Sequence, residues 1–229
     1  LDFSGTGGVA IVGPSGSGKS TTLLALSGFL HPAAGEVTAD GIVLDELPGP
    51  ALGRTVGLLP QDPKLFRASL HDNIVRPDTD TGDDDVAAVL ERLALDTTVA
   101  GFAEGLDTPM GRQGEGFSGG ELQRLGLARL VVNEPAVWLL DEPTSALDRR
   151  NSERVTELVA EATRDHLVVL VTHRPELLEC CDRVILMEDG VVVDDGPTAE
   201  VVARQPFVSA MLAATDTADT AEVADAVDA

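Results

Sequence analysis

The chain has 229 residues, 39 of them acidic and 16 basic, for a formal charge of −23. Such a surface repels phosphate backbones and anionic headgroups, which argues against a nucleic-acid clamp. The length is enough for one large domain or two small ones around a sizeable core, and no apolar run approaches the ~18–20 residues of a membrane-crossing helix.

No secretory-signal pattern opens the chain. "LDFSG" leads almost at once into an apolar run, without Met or a helix cap, as expected of a cut inside a longer polypeptide. The piece is expected to be soluble by itself, its acid excess a solvated surface. Cys180 and Cys181 are adjacent, which suits neither a framework disulfide nor a tetrahedral metal site, and they read as small buried hydrophobes.

"GGVAIV" at 7–12 is short, apolar and rich in β-branched residues, and predicts a strand. "GPSGSGKST" follows as Gly13, Pro14, Ser15, Gly16, Ser17, Gly18, Lys19, Ser20 and Thr21, and "KSTTLLALSGFL" at 19–30 predicts a helix. Strand, glycine loop and helix in that order fit G-x-x-x-x-G-K-[ST]. There, loop amides and a helix N-terminus point positive dipoles at phosphate oxygens, Lys19 reaches the β/γ-phosphates, and Ser20 reaches Mg²⁺. A flexible Gly/Ser linker would not be framed by two apolar elements.

"GEVTADGIVL" at 35–44 predicts a hairpin turning at Asp40-Gly41, and "TVGLLP" at 55–60 a strand stopped by Pro60. From 65 to 133 the texture is helical, with "DDDVAAVLERLAL" carrying acids in its first turn and "GGELQRLGLARLVV" at 119–132. Strands return in "AVWLLDE" at 136–142, "HLVVLVTH" at 166–173 and "RVILME" at 183–188, near-continuous apolar runs typical of a parallel sheet covered on both faces. Between the first two, Val155, Leu158, Val159 and Ala162 fall at i, i+3, i+4 and i+7, one helical stripe facing a sheet. The expected organisation is therefore α/β. A mostly parallel core is formed by 1–64 and 134–214, residues 65–133 are a helical insertion, and 215–229 are a mobile acidic tail.

Asp141 and Glu142 end the apolar run at 136–142, where ligands of open α/β sheets bind. Asp141 suits Mg²⁺, and Glu142 suits a base for an attacking water. With these residues in view, the chain resembles the ATP-binding cassette (ABC) ATPases, whose fold is a P-loop NTPase (RecA-like) core with an inserted helical subdomain and a small antiparallel β portion. "FSGGELQR" at 117–124 is similar to the family's signature loop, "LLPQDPKLF" carries a Q-loop glutamine at Gln61, "SALD" at 145–148 is similar to the D-loop, and "VTHR" supplies a switch histidine at His173. The resemblance covers nearly the whole chain except the tail.

It implies a head-to-tail pair of such domains closing over two MgATP. Ser118, Gly119, Gly120 and Glu121 would meet the γ-phosphate on the partner's P-loop, and Asp148 would cross the interface. Gln61 would touch Mg²⁺ and the attacking water, and His173 would hold Glu142 and water in register. "QDPKLFRASLHDNI" and "GRQGEGFSGGE" resemble exporter-type cassettes, which are held at the cytoplasmic face of the membrane by a transmembrane domain. Its coupling helices would lie against Phe66, Arg67 and Ser69. Glu121, where Gln is commoner, resembles one subunit of the heterodimeric bacterial thiol exporters that support cytochrome bd assembly.

Two departures from the pattern stand out: the family's adenine-stacking aromatic precedes the P-loop by more residues than this chain has there, with no Tyr anywhere, so that residue is expected to be missing or cut away, and Arg112 stands in the segment where exporters commonly have Glu. An importer cassette is the nearest alternative. A DNA-repair ABC ATPase would need basic surfaces and often Cys-x-x-Cys zinc sites, and intact Glu142 and His173 stand against a module that binds without turnover. His31, His71 and His166 have no motif around them.

Overall fold

The computed structural model describes residues 1–111 and 116–213. Arg112 and the acidic tail from Thr215 lie outside them.

A six-stranded sheet runs in the order β4 (Val56–Leu59), β5 (Val137–Asp141), β6 (Leu167–Val171), β1 (Gly7–Val12), β7 (Arg183–Glu188) and β8 (Val191–Pro197). All neighbours are parallel except β7 and β8. β2 (Thr38–Ala39) and β3 (Ile42–Val43) form a separate antiparallel pair, turning at Asp40 (φ 49°) and Gly41 (φ 78°) as expected. Two consecutive positive φ values make this the hairpin turn that Asp-Gly favours.

The apolar runs alternate strictly between two cores. Val9, Ile11, Leu139, Val169, Val171 and Ile185 face one side, where they meet Leu23 of α1 (Lys19–Leu26). Ala10, Val12, Leu140, Val168, Leu170 and Val184 face the other, against α6 (Gly119–Asn133) and α7 (Arg149–Asp165). A period of two with both faces covered explains why the sequence shows continuous apolar runs. The stripe Val155, Leu158, Val159 and Ala162 is the buried face of α7.

α2 (Gly49–Thr55) precedes β4, and α3 (Leu70–Ile74), α4 (Asp83–Arg92) and α5 (Asp96–Ala100) lead to α6. Eight residues of α6 are buried, including Gln123 and Arg124, so this helix is buried on nearly every side. Arg124 Nη1 donates to the carbonyls of Leu93 and Ala94 at 2.8 Å, capping the end of α4, and to Asn151 of α7 at 3.2 Å. Arg129 donates to the carbonyls of Asn73 and Lys64, and burial pushes its guanidinium down to about 10, still charged at neutral pH.

Three expectations need correction. The first helix stops at Leu26 instead of Leu30, because Gly28 (φ 77°) reverses the chain and Leu30 N donates back to Leu24 O. Strand β8 was not foreseen, although Asp189 (φ 47°) and Gly190 (φ 81°) repeat the turn chemistry of Asp40-Gly41. Nor were the short helices α2, α9 (Thr198–Arg204) and α10 (Pro206–Ala213), whereas α8 (Pro175–Leu178) falls in "PELLECCDRV", which reads as a helix end ahead of the two cysteines.

β4 and α6 approach closely enough to need glycine. A Cβ on Gly57 would stand 2.4 Å from Leu130 Cδ2 and 2.6 Å from the Pro135 ring, and one on Gly126 would stand 2.4 Å from Leu59 Cδ1. Gly57→Ala is expected to cost about 1–3 kcal/mol through overpacking, read as a lower urea midpoint with an unchanged slope.

Candidate functional site

The parallel register alone assembles the site. Ile11 pairs with Val171, Val171 with Asp141, and Leu59 with Leu140, so β1, β6, β5 and β4 end level with one another. The residues next in the chain, Gly13, Thr172 and His173, Glu142, and Gln61, therefore share one edge. There a cleft of ≈ 520 Å³ is lined by Gly13, Ser15, Gly16, Gly18, Lys19, Ser20 and Thr21 with Gln61, Asp141, Glu142, Thr172 and His173. Pro14 and Ser17 are not on its wall: Ser17 is buried beneath the loop, and both act on Lys19.

Gly13 has φ 148°, and a Cβ there would stand 2.0 Å from Met187 O, so only glycine lets the loop pass under β7. Gly18 (φ 92°) precedes α1, which has neither a side-chain cap nor an acid in its first turn. Those amides are left to an anionic ligand. Lys19 Nζ donates to the carbonyls of Gly13 at 2.9 Å and Pro14 at 2.7 Å, and to Ser17 Oγ at 3.4 Å.

Asp141 is buried, with Oδ1 unpartnered. Burial pushes its carboxyl up, offset in part by a hydrogen bond from Ser20 and by the Lys19 charge. A buried carboxylate oxygen without a partner beside a serine hydroxyl is a hard oxygen donor set facing the cleft, which suits Mg²⁺ kept partly hydrated. Glu142 holds a left-handed backbone, φ 50°, uncommon for a side chain of its size. Its Oε1 accepts from His173 Nδ1 at 2.9 Å. The carboxylate is 15 % exposed and the imidazole 70 %, so the pair spans from the cleft wall into solvent.

Ser118, Gly119, Gly120, Glu121 and Asp148 are not on the wall of this cleft. Ser118 caps α6, accepting from Glu121 N at 3.3 Å, while Glu121 Oε2 accepts from Ser118 N at 2.8 Å and from Ser118 Oγ at 2.7 Å. Burial alone would raise the Glu121 carboxyl. Hydrogen bonds from Thr98 and Ser118 outweigh it and hold the group below its ordinary range. Gly120 lies where a Cβ would meet Ala146 O at 2.8 Å, which sets the signature turn against 145–148. Asp148 caps α7 through Asn151 N at 2.9 Å, the bond that holds its carboxyl low.

On the neighbouring surface, Phe66 is 67 % exposed beneath Arg129, at 5.4 Å from guanidinium carbon to ring centroid. Arg67 is exposed, and Ser69 is half-buried as the cap of α3. Sequence reading passed over Phe207 and Met211 of α10, which join the cleft wall, and Gln123. Gln123 stood in plain view inside "FSGGELQR". A buried amide in a helix of apolar neighbours was the available signal.

A glycine loop at the end of a parallel strand, its lysine, and an Asp-Glu pair on a nearby strand define a P-loop nucleoside triphosphatase. Residues 1–145 match the family model described as ABC transporter. The chain belongs to that family and is an ATPase domain of it. ABC multidrug transporter MDR2 of Trichophyton rubrum is 37 % identical over 198 residues, 85 % of this chain and 14 % of that protein. Mycobactin import ATP-binding/permease protein IrtB of Mycobacterium tuberculosis is 37 % identical over 193 residues, 84 % of this chain and 33 % of its own. The glutathione/L-cysteine transport system ATP-binding/permease protein CydC of Escherichia coli is 36 % identical over 197 residues, 86 % of this chain and 34 % of its own.

Among solved structures, a bacterial Atm1-family ABC exporter with ATP bound superposes with a TM-score of 0.79 at 30 % identity, covering 92 % of this chain and 37 % of that one. The chain thus spans about a third or less of the length of these relatives. Among the described residues no helix is long and apolar enough to cross a membrane.

Asp141 gives the site a pH signature. Its folded pKa lies above the ordinary 3.8, so without ligand the folded state binds the proton more tightly than the unfolded chain. That stability is fully present below the unfolded value and is lost as pH rises through the folded one. Asp141→Asn is expected to raise the melting temperature of the ligand-free protein near neutral pH, with a gain that shrinks in acid. The variant should also be stabilised less by Mg²⁺ with nucleotide, and thermal melts across the range check both.

Proposed function

We propose that this chain is the ATP-driven motor of an exporter, closing head to tail with a second such domain over two ATP molecules and driving a transmembrane domain at the cytoplasmic face of the membrane. The observation that carries it is the division of the machinery. Lys19, Asp141, Glu142 and His173 share a cleft, while Ser118 and Asp148 stand outside it on exposed turns. Each chain then offers half of two sites.

In the proposed reaction the loop amides and Lys19 hold the triphosphate, while Ser118, Gly119 and Gly120 of the partner copy meet the γ-phosphate. Glu142 takes a proton from water that attacks the γ-phosphorus, ADP departs, and His173 keeps the Glu142 carboxylate aimed. Ser20 and Asp141 would hold Mg²⁺ with Gln61 beside it, and the ion would supply positive charge to the triphosphate.

The core is 1–64 with 134–214, and 65–133 is the arm that carries Ser118. Phe66 and Arg67, exposed on that arm, are the surface offered to the transmembrane domain. Export rests on the extent of the likeness to the Atm1-family exporter. The relative named for mycobactin import is as similar as the multidrug transporter, so import is the second reading. Transport direction measured in sealed vesicles with the full-length protein decides between them.

Lys19→Ala removes the cation of the loop and is expected to abolish ATP binding in a titration; unchanged affinity would refute the P-loop role. Glu142→Gln is expected to lower hydrolysis by about 10²–10⁴-fold with binding intact, and to accumulate an ATP-dependent dimer in sedimentation. Ser118→Arg on that background should prevent the dimer. A double variant that still dimerises with ATP would overturn the head-to-tail arrangement.

A further inference from the structure

Glu142 is held in a backbone conformation that a glutamate does not choose for itself. Left-handed φ values on residues with a Cβ persist only where the surroundings over-determine them, and they gather at functional sites. Three hydrogen bonds do so here. Glu142 N donates to Val171 O at 2.9 Å, continuing the sheet, and Ser145 N donates to Glu142 O at 3.1 Å, closing the turn. The third comes from a different element: Gln123 Nε2 of α6 donates to Glu142 O at 2.7 Å.

The rest of the Gln123 carboxamide is spent on the same turn. Nε2 also donates to Ser145 Oγ at 3.3 Å, and Oε1 accepts from Ala146 N at 3.1 Å. The side chain is 1 % exposed, so neither half of the amide has water to fall back on. One side chain therefore clamps 142–146 from both polarities.

We propose that Gln123 is a positioning residue for hydrolysis: it fixes the left-handed backbone of Glu142 and so aims the carboxylate at His173 and the cleft. The backbone dihedral at Glu142 sets where its Cα–Cβ bond points. Without the 2.7 Å bond the residue relaxes toward right-handed values and the carboxylate swings off its line. Gln123 lies in the second turn of the helix that Ser118 caps, so the signature loop and the catalytic carboxylate of the same chain are joined by a single rigid helix and one amide. A displacement of the signature end on engaging the partner's nucleotide is then felt at Glu142. The inference rests on Glu142 acting as the base.

The test is a double-mutant cycle in the full-length protein with Gln123→Met, Glu142→Gln and both, reading kcat, ATP affinity and melting temperature. Met keeps the reach and volume and removes both polar ends. Gln123→Met is expected to lower kcat by about 10–100-fold, the cost of a small misplacement, with ATP affinity unchanged. On the Glu142→Gln background it should cost nothing further, because no base remains to be aimed.

Equal losses on both backgrounds would overturn the proposal, as would a weakened ATP affinity with unchanged kcat, or a kcat loss that a lowered melting temperature accounts for. Should the Met variant not fold, Gln123→Asn, one methylene too short to reach the Glu142 carbonyl, carries the same cycle with the same criteria. If Glu142→Gln alone turns over at the wild-type rate, the base assignment falls. That arm identifies this failure separately from one confined to Gln123.

Discussion

Everything in this molecule depends on the register of a parallel sheet buried on both faces. Parallel strands send all their carboxyl ends to one edge, and the level row of Ile11, Val171 and Asp141 means that four connections leave it together. In the proposed function the chemistry is carried by what each connection contains: a glycine loop after β1, a glutamate after β5, a histidine after β6, a glutamine beyond β4. Because a one-residue slip would exchange the two cores, hydrophobic burial that has nothing to do with nucleotide fixes the geometry of the site.

Against that sheet α6 serves as a spar. Its apolar surround leaves few places for polar groups, and each one present spans a long distance in sequence: Gln123 to the turn after β5, Arg124 to the ends of α4 and α7, Arg129 to Asn73. Gln123 and Arg124 satisfy main-chain carbonyls at a turn and a helix end, those of Glu142 and Leu93, while the bonds to Asn151 and Asn73 end on side-chain amide oxygens. The helical segment is thereby attached to the core through partly buried hydrogen bonds of fixed direction as well as by apolar contact, while the Gly57 and Gly126 approaches bring α6 close to β4.

How much of this could be read from the sequence follows from which interactions are local. The phosphate loop, the β5 acids and the α7 stripe declare themselves within ten residues, through glycine spacing, apolar runs and helical periodicity. α2 reads as a loop because "GPALGRT" holds two glycines and a proline, yet Pro50 in the first turn is where a helix tolerates one. β8 ends in "DDGP", and nothing nearby reveals that Asp194 and Asp195 are held by Arg204 and Arg183. α9 and α10 each bury a single side chain, Val201 and Val208, too few to leave a period. Gln123 was hidden in another way: its partners lie 19 to 23 residues along the chain, and an amide in a familiar motif looks like a surface group until its burial is known.

The posture of Lys19 bears on how the domain lets go. With its ammonium already bonded to the carbonyls of Gly13 and Pro14, the loop carries a built-in stand-in for phosphate. On the proposed reading of Lys19, filling the cleft would exchange one set of oxygens for another around the ammonium. On that reading the carbonyls would be at hand to reclaim the cation once the terminal phosphate is lost, and the spent nucleotide would compete with the protein's own backbone. A grip that relaxes onto itself in this way suits an engine that must empty its cylinder on every stroke.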